Sequence, residues 1–215
     1  MKIQNLDIPF NCRFTCWFCG EGSDQTILVT LVTQQVVNMP ICDECKSYRC
    51  HSHVNPLAKL EKRIKEKMVI RNAKALSIGA NWTKQELQES ELTGSAFDGF
   101  KKSGWKMYLI AKARVNYSGW ALSVDGIPLD DVIIDEAFEF DGLTFSSFES
   151  MLTYLSTTFA LNEDFLAQVL ALYGNNRAIS AVKFCRLVPN NSRLQREKAL
   201  KDLIESIKEK ESLKS

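Results

Sequence analysis

The chain has 215 residues, 45% of them hydrophobic, and its acidic and basic side chains nearly cancel at a formal net charge of +1. These values are typical of a soluble globular protein with one or two domains. No segment approaches the roughly 18 apolar residues of a membrane helix, and the N-terminal MKIQNLDIPFNC is not a secretory signal. We therefore expect a cytoplasmic protein with no membrane partner.

The charges are unevenly distributed along the chain. Residues 1–114 contain 17 basic and 11 acidic side chains, net +6, whereas residues 115–176 contain ten acidic and no basic side chains, net −10. Residues 177–215 contain ten basic and five acidic side chains, net +5. Such blocks affect partners and solubility more than fold. The acidic block would repel a phosphate backbone and would suit a basic protein partner or the protein's own basic ends.

Four cysteines near the N-terminus form two C-x-x-C pairs, Cys16 with Cys19 and Cys42 with Cys45, and 22 residues separate the pairs. Two such pairs can place four thiolates around one tetrahedral Zn²⁺ with Zn–S distances of roughly 2.3 Å. The odd total of seven cysteines and the lack of a signal peptide also favour thiolate–metal bonding over disulfides. We predict a structural Zn²⁺ with no open position for chemistry.

The segment between the two cysteine pairs predicts a short β-hairpin. Residues 26–37 are rich in β-branched side chains and partly alternate, with a turn near Gln34 and Gln35. The second pair continues into residues 46–50, which are predicted as one helical turn. A knuckle, a hairpin and a ligand pair at a helix start form the order of a treble-clef module. Metal binding should supply much of the folding energy of so small a module.

The residues around the cysteines carry a family resemblance. The motifs CWFCG at residues 16–20 and ICDEC at residues 41–45 are similar to the four-cysteine treble-clef zinc finger of the ClpX type, whose pattern is C-x-F-C-G, a hairpin and I-C-D-E-C. The resemblance covers residues 14–50 and implies a module that dimerises or docks protein partners rather than catalyses. The rest of the chain departs from that family, and no G-x-x-x-x-G-K-[ST] phosphate loop supports an ATPase motor.

Further potential ligands beside the two pairs leave a second metal open as an alternative. A two-zinc, RING-like cross-brace needs eight ligands in interleaved order, and the order here fits that pattern poorly. The additional candidates are Cys12, Cys50, His51 and His53. The alternative role for Cys12 is that of a small, buried apolar side chain that binds no metal.

The two histidines also raise the alternative of a divergent HNH-like metal nuclease. In such enzymes paired C-x-x-C knuckles surround a ββα-metal core, and the general-base histidine lies between the knuckles. Residues 20–41 contain no histidine, and both histidines follow the second knuckle. A hydrolytic metal site needs a positioned base and an open coordination position. Because the histidines do not occupy the expected position, the nuclease is our second alternative.

A basic helix is predicted directly after the cysteine module. Asn55 and Pro56 resemble an N-cap with proline in the first turn, and apolar residues at helical spacing extend to about Gly79. Its cations could follow a phosphate backbone and give salt-sensitive nucleic-acid binding, or they could form the solvated face of a connector. The candidate contacts are Lys59, Lys62, Arg63, Lys67, Arg71 and Lys74.

Helices dominate the prediction for the remaining chain. The capping box T-x-x-E at residues 83–86 opens a short helix. Residues 95–103 predict another turn or two, and residues 105–117 combine helix and strand signals, with helix favoured. The later helices are predicted at about 147–160, 162–173, 177–188 and 192–212.

In the part of the chain after the basic helix, strands are favoured in the region 119–145. Asp-Gly pairs at residues 125–126 and 141–142 each follow a short alternating apolar segment, which is a strong hairpin signal. The predicted class is α+β, with a mostly helical body, a small central β-hairpin region and an N-terminal treble-clef-like zinc module. The predicted parts are a zinc module at 1–54, a basic linking helix at 55–81, an α+β body at 82–190 and a C-terminal helix at 191–215.

These observations favour a non-enzymatic, zinc-stabilised recognition or adaptor protein. The zinc module would dock a protein partner or a second copy of the chain. A nucleic-acid-binding regulator that uses helix residues 57–74 is the first alternative. We find no Ser/His/Asp set and no Gly-rich cofactor loop in the sequence.

Overall fold

The computed structural model describes residues 3–49, 55–91, 93–129, 138–188 and 192–212. It has two compact units, one of residues 1–137 with 143–147 and one of residues 138–142 with 148–215. Helices predominate and the sheets are small, so the predicted α+β class is confirmed. The four-part division of the chain stays a prediction. None of the described helices is both long enough and apolar enough to cross a membrane.

The first unit contains a four-stranded sheet of β1 (Ile3–Gln4), β2 (Gln25–Thr30), β3 (Val36–Ile41) and β4 (Asn55–Pro56). The strand order in the sheet is β1-β3-β2-β4. Its central hairpin is antiparallel and joins each residue of β2 to one of β3, from Gln25 opposite Ile41 to Thr30 opposite Val36. Gln34, near which the turn was predicted, has φ +65° in the connection between these two strands.

The start of the basic helix differs from the prediction. Asn55 is not the N-cap, because it belongs to β4 and pairs with Val29 of β2. Pro56 is the residue that precedes the helix, and it makes no side-chain capping hydrogen bond. The helix ends at Asn81, close to the predicted Gly79, and the ring of Tyr108 packs so closely against Gly79 that no side chain would fit there.

The described α-helices of the first unit are α1 (Asp43–Ser47), α2 (Leu57–Asn81), α3 (Lys84–Glu89) and α4 (Ser95–Asn116). The helix α2 packs against α4, and their buried side chains include Ile64, Met68 and Leu76 from α2. Residues 95–103 and 105–117, which were predicted as separate segments, form one continuous helix in which Gly104 packs closely against Phe100. The capping box of α3 is confirmed.

The remaining strands are shorter than predicted. The strands β5 (Ser123–Val124) and β6 (Ile127–Pro128) pair across the predicted Asp125-Gly126 turn in the first unit. The later Asp-Gly pair also has positive φ at both residues. It lies between β7 (Phe138–Phe140), which belongs to the second unit, and β8 (Leu143–Phe145), which belongs to the first.

The second unit is helical, as its sequence predicted. Helix α6 packs against α5 and α7 and contributes Leu166, Val169 and Leu170 to the core. Cys185 is buried in α7, and burial raises the pKa of its thiol to about 12. It is an unreactive core thiol. The helices are α5 (Phe148–Thr158), α6 (Glu163–Tyr173), α7 (Ala178–Leu187) and α8 (Arg193–Ser212).

Candidate metal centre

The four cysteines of the C-x-x-C pairs converge on one point in the first unit. Their sulfur atoms all lie within 4.8 Å of one another, and the Sγ atoms of Cys19 and Cys42 are 3.7 Å apart. Four thiolates bound to one tetrahedral Zn²⁺ would have sulfur–sulfur distances of about 3.8 Å. Cys16, Cys19 and Cys45 are buried and Cys42 is half-buried. The cluster therefore has the donor atoms, size and burial of a metal site.

The first knuckle is a tight turn that places two sulfurs on the same side. The backbone N–H of Cys16 donates to the carbonyl oxygen of Glu21 at 2.7 Å, and Gly20 N–H donates to the Cys16 carbonyl at 3.0 Å. Gly20 has φ +77°, and a Cβ at this position would lie 2.9 Å from the ring of Tyr117. The glycine is therefore required both by the turn and by the neighbouring ring.

The second knuckle forms where β3 passes into α1. Cys42 is the N-cap residue of α1, and Cys45 lies one turn into the helix, so both sulfurs face the first knuckle. The side chain of Gln25 in β2 donates to the Asp43 carboxylate and accepts from the Lys46 ammonium. These bonds attach both ends of α1 to the hairpin and fix the position of its two ligands.

An aromatic side chain between the ligands connects the knuckle with the segment after α4. Trp17 is buried, and its Nε1–H donates to the backbone oxygen of Trp120 at 3.0 Å. Its ring packs edge-on against Phe18, with ring centroids 5.3 Å apart. Gly119 lies directly against the indole, where a Cβ would be 2.5 Å from Cε2 of Trp17. The knuckle is therefore packed against residues about a hundred positions away.

An arginine from the last turn of α4 reaches the cysteine cluster. The Nη2 atom of Arg114 is 4.0 Å from the Cys19 sulfur and 2.6 Å from Oε2 of Glu44, which lies between the ligands of the second knuckle. Its Nε is 3.4 Å from Glu21. Glu44 also accepts from Arg71 Nε at 3.0 Å. No local motif in the sequence marks Arg114, and sequence analysis did not identify it.

Lys65 of α2 forms hydrogen bonds with the end of α4, close to Arg114. Its ammonium donates to the carbonyl oxygens of Val115, at 3.0 Å, and of Tyr117. These carbonyls lie at the C-terminal end of α4, where backbone acceptors lack partners within the helix. Burial lowers the pKa of Lys65, while the carboxylate of Glu61 opposes that shift. Lys65 thus ties α2 to the end of the helix that carries Arg114.

Hydrogen bonds within the cluster shift the pKa values of the four thiols in different directions. Hydrogen bonds from Cys16 lower the pKa of Cys19 and lower that of Cys42 to about 6. Conversely, the hydrogen bond with Cys19 raises the pKa of Cys16, and that with Cys16 raises the pKa of Cys45. A bound divalent cation would displace the protons that remain, since thiolates rather than thiols coordinate metals.

Of the four residues predicted as ligands of a second metal, the structure describes only Cys12. Cys12 lies in a short 3₁₀ turn, is half-buried and has a free thiol. Cys50, His51 and His53 fall outside the described residues. Within the described part of the chain, Cys12 does not belong to the cluster of potential ligands. The second zinc and the histidine-dependent nuclease therefore stay predictions.

The six predicted nucleic-acid contacts on α2 are all exposed. The acidic residues of the helix behave differently, because Glu61 and Glu66 are half-buried and Glu66 accepts a hydrogen bond from the Ser147 hydroxyl at 3.1 Å. Among the residues described in α2, every exposed charged side chain is therefore basic. Arg63 donates to the backbone oxygen of Tyr48 at 2.7 Å, so this face lies beside the cysteine module.

Comparisons with protein families, with curated proteins and with solved structures find no match for this chain. The likeness of residues 14–50 to the ClpX-type finger therefore stays a resemblance between short motifs.

Proposed function

We propose that the protein is a non-enzymatic recognition or adaptor protein whose N-terminal module is held by one structural Zn²⁺. The observation that carries this proposal is the compact, largely buried cluster of four cysteine sulfurs. Soft thiolate ligands in a tetrahedral set favour zinc or an iron–sulfur centre over hard cations. Four protein thiolates fill the zinc coordination sphere, so no position remains for a substrate or an activated water.

Two exposed phenylalanines support a docking role for the zinc module. Phe10 and Phe14 lie in the segment that leads into the first knuckle, and their side chains are 81% and 77% exposed. The guanidinium of Arg13 lies 4.8 Å from the centroid of the Phe10 ring. Aromatic and arginine side chains are enriched among residues that dominate the energy of protein interfaces. We propose that this segment contacts a protein partner or a second copy of the chain.

Affinity capture with three forms of the zinc-loaded protein tests the docking surface. The wild type, the double variant Phe10→Ala/Phe14→Ala and the control Leu187→Ala would each be incubated with a tagged second copy and with cell extract. Leu187 is 83% exposed but belongs to the second unit. We expect the double variant alone to lose proteins that the wild type retains. Equal recovery by all three forms would contradict a role for this segment.

Nucleic-acid binding through α2 is the second candidate function, and the all-basic exposed charge of that helix favours it. Lys59, Arg63, Lys67 and Arg71 follow one another at intervals of four residues, and Lys74 follows after three. This spacing places five cations along one face of the helix. Such a stripe can follow a phosphate backbone without reading its bases.

A salt titration of duplex DNA binding tests this second candidate. Each neutralised phosphate contributes a slope of roughly −0.9 to a plot of log binding constant against log salt concentration. Removing charge with Lys67→Gln and Lys74→Gln should make the slope shallower by roughly one for each phosphate that is no longer neutralised. The control Lys198→Gln changes an exposed cation of α8 in the second unit. A slope near zero for the wild type would exclude the candidate.

A further inference from the structure

The proposed zinc site would concentrate negative charge in a buried part of the protein, which is energetically unfavourable without nearby positive charge. Four thiolates around one Zn²⁺ carry a net charge of −2, and three of the four cysteines are buried. Glu21 and Glu44 add two carboxylates beside the cluster. Buried charge of one sign is costly unless opposite charge and hydrogen-bond donors lie next to it. A cation that contacts both the sulfurs and these carboxylates would reduce that cost.

Arg114 contacts one of the sulfurs and both of these carboxylates. Its side chain is only 16% exposed, its Nη2 lies between the Cys19 sulfur and the Glu44 carboxylate, and its Nε faces Glu21. Arginine remains charged when partly buried, and its planar group can contact several acceptors at once. The guanidinium thus remains a permanent cation beside the sulfur cluster.

We propose that Arg114 is a positioning residue for the metal centre: it holds the Cys19 thiolate and balances part of the negative charge of the loaded site. The proposal rests on the zinc site proposed above. Residues that orient metal ligands from the outer shell change metal affinity by about 10- to 100-fold when they are replaced. Because Arg114 belongs to α4, metal affinity is coupled to the packing of a helix that supplies no ligand.

The competing explanation is that Arg114 stabilises the fold only through its ion pair with Glu44. A variant would then destabilise the metal-free and metal-loaded protein equally, and zinc affinity would not change. Arg71 provides a matched control because it pairs with the same carboxylate at 3.0 Å but is 67% exposed. An effect specific to Arg114 would therefore arise from its contact with the sulfur rather than from loss of a Glu44 partner.

The test compares the wild type with Arg114→Gln, Arg114→Lys and Arg71→Gln. Zinc affinity would be measured by competition with a chromophoric chelator, and the thiolate-to-metal absorption band would be recorded after loading with Co²⁺. We expect Arg114→Gln to bind Zn²⁺ about 10- to 100-fold more weakly, with Arg114→Lys intermediate and Arg71→Gln close to the wild type. The thiolate-to-Co²⁺ band should move to longer wavelength in Arg114→Gln. A thiolate that has lost its hydrogen-bond donor gives up an electron more readily, so the charge-transfer transition needs less energy.

Unchanged zinc affinity in Arg114→Gln, or an equal loss in Arg71→Gln, would overturn the proposal. If Arg114→Gln does not fold, Arg114→Lys decides the question. It keeps the charge but cannot contact the sulfur and both carboxylates as a guanidinium does. Wild-type affinity in Arg114→Lys with an unmoved Co²⁺ band would then overturn the proposal. Failure of the wild type itself to bind Zn²⁺ would instead contradict the proposed function.

Discussion

The guanidinium Nη2 of Arg114 lies 4.0 Å from the sulfur of Cys19, although 95 residues separate them in the chain. This contact, with the hydrogen bond from Trp17 to Trp120, joins the cysteine module to the end of α4. The cysteine module and α4 therefore belong to the same compact unit. Metal binding should stabilise α2 and α4 as well as the two knuckles, because anything that binds only the folded state stabilises all that folds with it.

Loss of a buried ligand should therefore affect the whole first unit. We predict that Cys45→Ser lowers zinc content from one ion per chain to nearly none and removes amide-exchange protection from α4 as well as from the knuckles. Helices α5 and α6 belong to the second unit and should keep their protection. Metal analysis and hydrogen exchange followed by mass spectrometry would measure both effects.

Cys12→Ser is the matched control for that experiment. Cys12 is half-buried, and its sulfur does not belong to the described four-sulfur cluster. We expect the variant to retain its zinc. If only the knuckles of Cys45→Ser lose amide-exchange protection, the coupling to α4 is contradicted. Loss of metal from Cys12→Ser would instead support the second-metal alternative.

The close contact between Gly119 and Trp17 predicts a large effect from one added methyl group. Gly119 has φ +72°, and a Cβ there would lie 2.5 Å from the indole. Gly119→Ala should lower the free energy of unfolding by about 1–2 kcal/mol through left-handed backbone strain and by about 1–3 kcal/mol more through overpacking. Urea denaturation followed by tryptophan fluorescence would measure the loss.

Gly126→Ala separates the two contributions. Gly126 has φ +75°, but no heavy atom lies within 4 Å of its added Cβ. This variant should show only the backbone strain of about 1–2 kcal/mol. Equal losses in the two variants would mean that the indole moves aside at little cost, contrary to a tightly packed knuckle.

The half-buried carboxyl of Glu61 predicts a pH-dependent difference in stability. Burial raises its pKa above the usual value of 4.5, and Lys65 offsets only part of that shift. The unfolded chain therefore releases this proton at lower pH than the folded protein does, so the stability that Glu61 contributes is lost as pH rises from 4.5 through the folded pKa. Glu61→Gln removes this titration.

We expect the unfolding free energy of Glu61→Gln to rise relative to that of the wild type as pH rises from 4.5 through the raised pKa of the folded carboxyl. The change should be about 1.4 kcal/mol for each unit by which folding raises the pKa. Because both proteins carry the same cysteine cluster, its own pH dependence cancels in the difference. A difference that stays constant over this range would show that the carboxyl titrates normally in the folded protein.

The capping box of α3 predicts a smaller, local effect. Thr83 Oγ1 accepts from Glu86 N–H at 3.2 Å, and Glu86 accepts in return from Thr83 N–H at 2.7 Å. Thr83→Ala should cost about 1 kcal/mol of stability, whereas Thr83→Ser keeps the hydroxyl and should cost less. Thermal unfolding of both variants would test this, and equal losses would mean that the hydroxyl makes no contribution.

Features encoded within a few residues could be predicted from the sequence. The capping box of Thr83 and Glu86, the hairpin between the knuckles and the spacing of the cysteine pairs depend on neighbours along the chain. The helical pattern of the second unit is similarly local, because apolar side chains recur at helical spacing. These signals were sufficient for the class and for the residues of the candidate metal site.

Features that depend on distant packing could not be predicted. Residues 95–103 and 105–117 were predicted as separate segments, but they form one continuous helix that packs against α2. No sequence signal pointed to Arg114, because only the folded chain shows that it reaches Cys19. Asn55 had the features of an N-cap, but pairing with Val29 places it in a strand.

The metal content of the purified chain tests the central claim most directly. Elemental analysis by mass spectrometry, together with a count of thiols accessible after chelation, would show what the four-sulfur cluster holds. We predict one zinc ion per chain, bound by Cys16, Cys19, Cys42 and Cys45 and released together with four reactive thiols. A zinc content well below one per chain in freshly reduced protein, with these cysteines already reactive before chelation, would contradict the account.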